Sequence, residues 1–145
     1  MRTAENADLS KIVDLLAASA LPTEDLEQQD LSLFVVEELG AGLGGVGGLE
    51  RCGRDALLRS VATSESLRGQ GRARAMVAEL EGRAARHGIE ELYLLTETAA
   101  DFFASLGYAV RDRETVPDAV RASRQFSSIC PDSATVMAKR VASET

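Results

Sequence analysis

The segment of this chain best suited to chemistry is Leu67-Arg68-Gly69-Gln70-Gly71-Arg72-Ala73, lying between an apolar run and a long helical pattern. Glycines at 69 and 71 strip the backbone of side chains, so successive amide N–H groups can converge on an anion. A helix N-terminus just beyond adds partial positive charge. Arg68, Gly69, Gln70, Gly71, Arg72 and Ala73 are therefore candidates to hold a diphosphate. Two familiar phosphate loops are rejected: no GxxxxGK[ST] occurs, and the run from Gly69 has Arg74 where a dinucleotide fingerprint needs its last glycine or alanine. A formally complete GxGxxG stands at Gly40-Ala41-Gly42-Leu43-Gly44-Gly45. That fingerprint must open a helix, and with Gly47, Gly48 and Gly53 so close behind, a glycine-rich hairpin is expected instead.

Other reactive side chains are few. Cys52 and Cys130 are far apart and His87 is the only histidine, so no metal-site spacing can be assembled and none is expected. His87 precedes Gly88 and reads as an exposed helix-end residue. Glu97, just past an apolar run, reads on its own as a solvated surface glutamate. Arg111, Arg113, Arg121 and Arg124 crowd one region of an otherwise acidic chain. Guanidinium forks grip carboxylates bidentately, yet Asp112, Glu114 and Asp118 are equally able to neutralise them on a solvated face.

The elements that must position these groups follow from periodicity. Asp8 to Ala20 is expected to be a helix, with Leu9, Ile12, Val13, Leu15 and Leu16 as its stripe and Asp8 as a possible cap. Thr23 to Asp30 is expected as a short second helix, and Leu33-Phe34-Val35-Val36 as a strand. Ala56 to Ala62 is a further strand, and Gly71 to His87 a helix whose inner face is Ala73, Met76, Val77, Leu80 and Ala84. Leu92 to Thr96 is apolar on both faces, as a central strand should be; a helix from Ala99 to Leu106 follows, then strands at 108–111 and 134–138. Strands alternating with helices define an α/β class.

The 145 residues are the size of one domain, expected over 1–145. A net charge of −7 and pI near 4.8 argue against nucleic acid, which needs clustered Lys and Arg. Apolar stretches are broken by charges and Met1 to Glu5 leads into no signal region, so no membrane partner and a cytoplasmic location are expected.

The hexapeptide Arg68 to Ala73 reads R-x-x-G-x-A and resembles the acetyl-CoA motif Q/R-x-x-G-x-G/A of the GNAT N-acetyltransferase superfamily, with Arg68, Gly71 and Ala73 on its defining positions. The likeness runs over almost the whole chain in the family's order of elements. It implies an α/β (α+β) fold with a single mixed central β-sheet flanked by helices, acetyl-CoA as co-substrate and no metal. It also implies that Ser60, Val61, Ala62 and Thr63 offer backbone amides to the pantetheine and thioester, Val61 polarising the carbonyl. The same likeness makes Glu97 the leading candidate for a general base. Phe102 to Tyr108 is similar to the family's F-Y-x-x-x-G-F pattern, placing Phe102 and Phe103 at the cofactor. Phe103 departs from the tyrosine that often protonates the leaving thiolate, which puts the general acid in doubt. Family habit points to a homodimer.

A narrower likeness covers residues 92–139. Leu92-Tyr93-Leu94-Leu95-Thr96, Ala100 to Tyr108, Val116 to Arg121 and Ser133 to Met137 are similar to the acetyltransferase part of bacterial N-acetylglutamate synthases. Arg124-Gln125-Phe126 and Cys130-Pro131-Asp132-Ser133-Ala134 are similar to short acetyltransferases associated with arsenic resistance. Both imply a small acidic amino acid, or a glutamate analogue bearing phosphorus or arsenic, with Arg59, Thr96, Thr98, Arg121 and above all Arg124 at the substrate. One departure counts against glutamate: the synthases carry T-T-R where this chain has Thr96-Glu97-Thr98. Cys130 is either a substrate contact or an ordinary loop thiol. Two other readings stand beside this one, an acetyltransferase for peptides or proteins and an acetyl-CoA-binding domain without turnover, the latter motivated by Phe103.

Overall fold

Apolar pattern and glycine placement account for most elements of the computed structural model, which describes residues 1–131 and 133–141. In chain order these are β1 (Arg2–Thr3), α1 (Leu9–Ala18), β2 (Phe34–Leu39), β3 (Gly42–Cys52), β4 (Asp55–Thr63), α2 (Arg72–Arg86), β5 (Glu91–Thr96), α3 (Ala100–Ser105), β6 (Ala109–Val110), α4 (Asp118–Arg121) and β7 (Thr135–Arg140). The strands form one seven-stranded mixed sheet in the order β1-β2-β3-β4-β5-β7-β6. β4 and β5 run parallel, with Ala56 beside Leu92 and Leu57 beside Tyr93. A parallel pair needs a long crossover, and α2 supplies it. β5 pairs antiparallel with β7 on its other side, so its two buried faces follow from a central position. Asp132 of the Cys130-Pro131-Asp132 motif lies outside the described residues. No helix among the described residues is long and apolar enough to cross a membrane.

Two compact units make up the chain. The first joins Met1–Glu50 with Leu58–Leu80, and the second joins Arg51–Leu57 with the described residues from Glu81 onward. In the first, Ile12 and Leu16 of α1 pack with Phe34, Val36, Val46 and Ala62. The glycine-rich run is a tight hairpin, β2 pairing with β3 and Val36 facing Val46. Its glycines serve packing: a Cβ on Gly48 would come 2.5 Å from the Phe34 ring, and one on Gly47 would meet Leu80 at 2.6 Å and Met76 at 2.9 Å. α2 can therefore lie directly on bare β3 backbone. Met76, Val77, Leu80 and Ala84 are buried as expected, with Ala73 half-buried. The second unit's core gathers Leu57, Tyr93, Val116, Val120, Phe126, Val136 and Ala138.

Two local expectations are corrected. Asp8 does not cap α1, because its carboxylate faces back to Arg2 at 2.8 and 2.9 Å and to the Glu5 N–H at 2.8 Å. Thr23 to Asp30 forms no α-helix but a 3-10 turn at Leu26–Gln28, followed by another at Leu31–Leu33. Leu26 is the only residue in that stretch able to build an apolar stripe, so helix formation would gain little burial. Asp30 then accepts from the Ser32 N–H at 3.0 Å, which favours a turn.

Candidate functional site

In the first unit β4 carries Arg59 inward, its side chain wholly enclosed. A charge buried in an apolar strand needs partners, and Arg59 has them. Nη1 and Nη2 donate to the two Asp25 carboxylate oxygens at 2.6 Å each, Nη1 also reaches Glu50 at 2.8 Å, and Nε donates to Ser60 Oγ at 3.1 Å. Burial pulls the Arg59 pKa down, but hydrogen bonds and charge from Asp25 and Glu50 outweigh it and leave it raised. The expectation that Arg59 meets the substrate is therefore corrected, since a guanidinium committed on every side presents no fork to solvent. Ser60, next on the strand, is a buried non-glycine residue with φ +59°. That left-handed geometry breaks the pleat just before Val61, Ala62 and Thr63.

After β4 the chain enters the glycine loop through several fastenings. Ser64 N–H donates to Gly44 O at 2.8 Å, and a Cβ on Gly44 would come 2.6 Å from the Leu67 side chain, so bare backbone at 44 lets the loop dock. Arg68 Nε donates to Thr63 O at 3.3 Å, and Gln70 Nε2 to Ser66 O at 3.4 Å. Gly69 and Gly71 have φ +80° and +75° with open space where a Cβ would stand. Residues 68 to 72 are exposed and lead straight into α2, whose first amides have no carbonyl one turn behind them. Alternating left-handed glycines, exposed amides and a 15-residue helix suit a diphosphate. Arg72 pairs with Glu37 on β2.

The second unit holds the remaining candidates. Thr96 ends β5, and its Oγ1 accepts from the Ala99 N–H at 2.9 Å, turning the chain towards α3 with Glu97 and Thr98 exposed between. Phe102 is half-buried. Phe103 is buried and packs edge-on against Phe102 at 5.1 Å and Tyr108 at 5.7 Å between ring centroids. Tyr108 supplies no ready proton: its hydroxyl donates to Glu81 at 2.8 Å, and burial, then the charge of Glu81, push its pKa up. Glu81 also holds Lys139 Nζ at 3.0 Å, a half-buried knot with no local sequence signal because its members are up to 58 residues apart.

The crowded arginines divide. Arg111 bridges Glu91 at 3.3 Å, and Arg113 donates to Pro131 O and Ala134 O, both at 3.1 Å, while lying over the Phe126 ring at 5.0 Å. Arg113 thus braces the segment before β7, while Arg111 is tied to the start of β5. Arg121 on α4 and Arg124 just after it are exposed. Cys130 is half-exposed and Cys52 buried. His87 is exposed at the end of α2, and Gly88 follows at φ +76°, the expected stop.

A left-handed strand residue leading through a left-handed glycine loop into a helix, within a mixed sheet whose parallel pair is joined by that helix, is the arrangement expected of an acyl-coenzyme A-dependent transferase. The family model described as the acetyltransferase (GNAT) domain matches residues 29–110, more than half of the chain, and the chain belongs to that family of acetyltransferases. Solved structures agree on the fold. N-acetylglutamate synthase from Neisseria gonorrhoeae, complexed with coenzyme A and N-acetyl-glutamate, superposes with TM-score 0.83 at 19% identity over 98% of this chain. This chain spans only 35% of that synthase. Rv2747 from Mycobacterium tuberculosis, in complex with coenzyme A and a second ligand, gives 0.79 at 22% identity, covering 96% of this chain and 97% of its own. The ribosomal-protein-S18-alanine N-acetyltransferase from Escherichia coli gives 0.74 at 16%, covering 99% and 94%.

Proposed function

We propose that this acetyltransferase moves the acetyl group of acetyl-CoA to the α-amino group of a small acidic amino acid or a glutamate analogue, including phosphorus- or arsenic-bearing ones. The observation that carries the cofactor half is the exposed Arg68–Ala73 loop with left-handed glycines at the start of α2. The acceptor half rests on exposed Arg121 and Arg124 in a chain of net charge −7. The coenzyme A and N-acetyl-glutamate bound by the Neisseria gonorrhoeae synthase point the same way.

In this reading the loop amides hold the diphosphate, and the Val61 N–H, directly after left-handed Ser60, receives the thioester oxygen as it gains negative charge. Exposed Glu97 takes the proton from the acceptor ammonium, leaving a neutral amine to attack the carbonyl carbon. The N–C bond forms, the C–S bond breaks, the attacking nitrogen gives up its second proton to solvent, and the sulfur leaves as a thiolate that is protonated from solvent. Phe103 offers no hydroxyl for that last step, yet a thiol of pKa about 8.5 is a fair leaving group without one. Thr96 and Thr98 flank Glu97 and belong to the acceptor side. A cytoplasmic enzyme working as a homodimer is part of the same proposal and rests on family resemblance.

Buried Phe103 favours one competing reading, a coenzyme A-binding domain without turnover. Turnover of acetyl-CoA separates the two, and Arg124 tests the acceptor. Replacing it by Lys keeps the charge but removes the fork, so the Michaelis constant for glutamate rises about tenfold or more while coenzyme A affinity holds. Unchanged acceptor kinetics in both Arg124→Lys and Arg124→Ala would remove the acidic-acceptor proposal.

A further inference from the structure

Arg59 is a cation wholly inside an apolar strand, which a merely structural role would rarely require, since an apolar residue there is often as stabilising. Its four donor contacts reach three different places. Nη1 and Nη2 clamp Asp25, in the stretch between α1 and β2 that carries no α-helix; Nη1 adds Glu50 on β3; and Nε holds Ser60 Oγ, on the residue of β4 with φ +59°. L side chains rarely adopt that backbone geometry, so something must hold Ser60 in it. The Nε contact lies directly on the strained residue, and the fork anchors the donor itself. The peptide that follows Ser60 is the one whose N–H belongs to Val61.

From this juxtaposition we propose that Arg59 is a positioning residue for acetyl transfer: anchored by Asp25 and Glu50, it fixes left-handed Ser60 and thereby aims the Val61 N–H. The inference rests on the proposed function and adds to it a residue that touches neither cofactor nor acceptor. It separates two quantities. The glycine loop at residues 68–73 is also fastened through Gly44, Leu67 and Arg68, so coenzyme A affinity should depend on Arg59 much less than the rate of transfer does.

Lysine at 59 keeps one positive charge but has no planar fork and no Nε-type donor, so it cannot serve Asp25, Glu50 and Ser60 together. With acetyl-CoA and glutamate as probes, Arg59→Lys should lower kcat about tenfold or more, with coenzyme A Kd by calorimetry within about twofold of wild type. Glycine reaches φ +59° without help, so adding Ser60→Gly to Arg59→Lys should recover several-fold of the lost kcat while the lowered melting temperature stays low. A purely structural Arg59 gives no such rescue. Equal kcat in wild type and Arg59→Lys, or no recovery in the double variant, overturns the proposal. Should Arg59→Lys fail to fold, Ser60→Val carries the test: a β-branched residue resists this geometry, so kcat should fall by more than coenzyme A affinity does, and an unchanged kcat overturns the inference. Wild-type protein that neither binds coenzyme A nor acetylates any amino acid overturns the proposed function and this inference with it, whereas wild-type turnover without rescue overturns this inference alone.

Discussion

Gly71 shows how one residue type can decide ligand binding without touching the ligand through a side chain. At φ +75°, with open space around its absent Cβ, it is constrained by backbone geometry alone. Gly71→Val should therefore turn the peptide away and lower coenzyme A affinity at least tenfold, read by calorimetry, although no clash is created. Unchanged affinity would mean that the loop serves another purpose. Gly44 has the opposite reason for being glycine, since Leu67 occupies the space. Sequence alone marks both as glycine and cannot separate those causes. Arg59 carried a usable signal, a charge inside the apolar run Ala56 to Ala62, but its direction depends on Asp25, 34 residues away. For the same reason the spacing of Arg111, Arg113, Arg121 and Arg124 could not show that the first two brace backbone and carboxylate while the last two are exposed.

At the scale of elements, legibility followed burial. α2 and β5 were readable because a repeating apolar face or a doubly buried strand writes itself into the sequence, and their ends agree with expectation within a residue or so. The stretch from Thr23 to Asp30 was not, because its conformation is set by Asp25 meeting Arg59 and by Asp30 meeting Ser32 rather than by any stripe. The β2–β3 hairpin was readable as glycine-rich, but the reason for so many glycines is α2 and the Phe34 ring pressing on bare backbone. Gly48→Ala should accordingly cost about 1–3 kcal/mol in urea unfolding with little change in slope, because an aromatic ring cannot fold aside as a methionine can. The start of α1 offers a pH test. The Arg2 guanidinium, then the Glu5 N–H, lower the Asp8 pKa from 3.8 to about 2. A depressed carboxylate contributes stability in full above its unfolded value and loses it as pH falls towards the folded one. With Arg2 partly exposed the contribution is about 1 kcal/mol. Asp8→Asn should therefore be less stable than wild type at pH 7, with the gap closing between pH 3.8 and about 2. A gap that persists at the acid end would contradict the assignment.

For the whole molecule, family and fold rest on residues 29–110 and on a sheet shared with acetyltransferases of several specificities, so the acceptor is settled only by chemistry. The glycine loop proposed for the cofactor was legible as a loop because left-handed glycines at a helix start are a local device. The side chains proposed for the acceptor were harder to read, because they come from separate parts of the chain and Thr98 stands where the resembling synthases carry arginine. The most direct measurement mixes purified wild-type protein with acetyl-CoA and a panel of amino acids, following free thiol release and acetylated product together by mass spectrometry. The account predicts thiol and N-acetyl product in equal amounts, fastest with glutamate or a glutamate analogue. No acetylated amino acid beyond the protein-free control, or a best acceptor that is neutral or cationic, would contradict it.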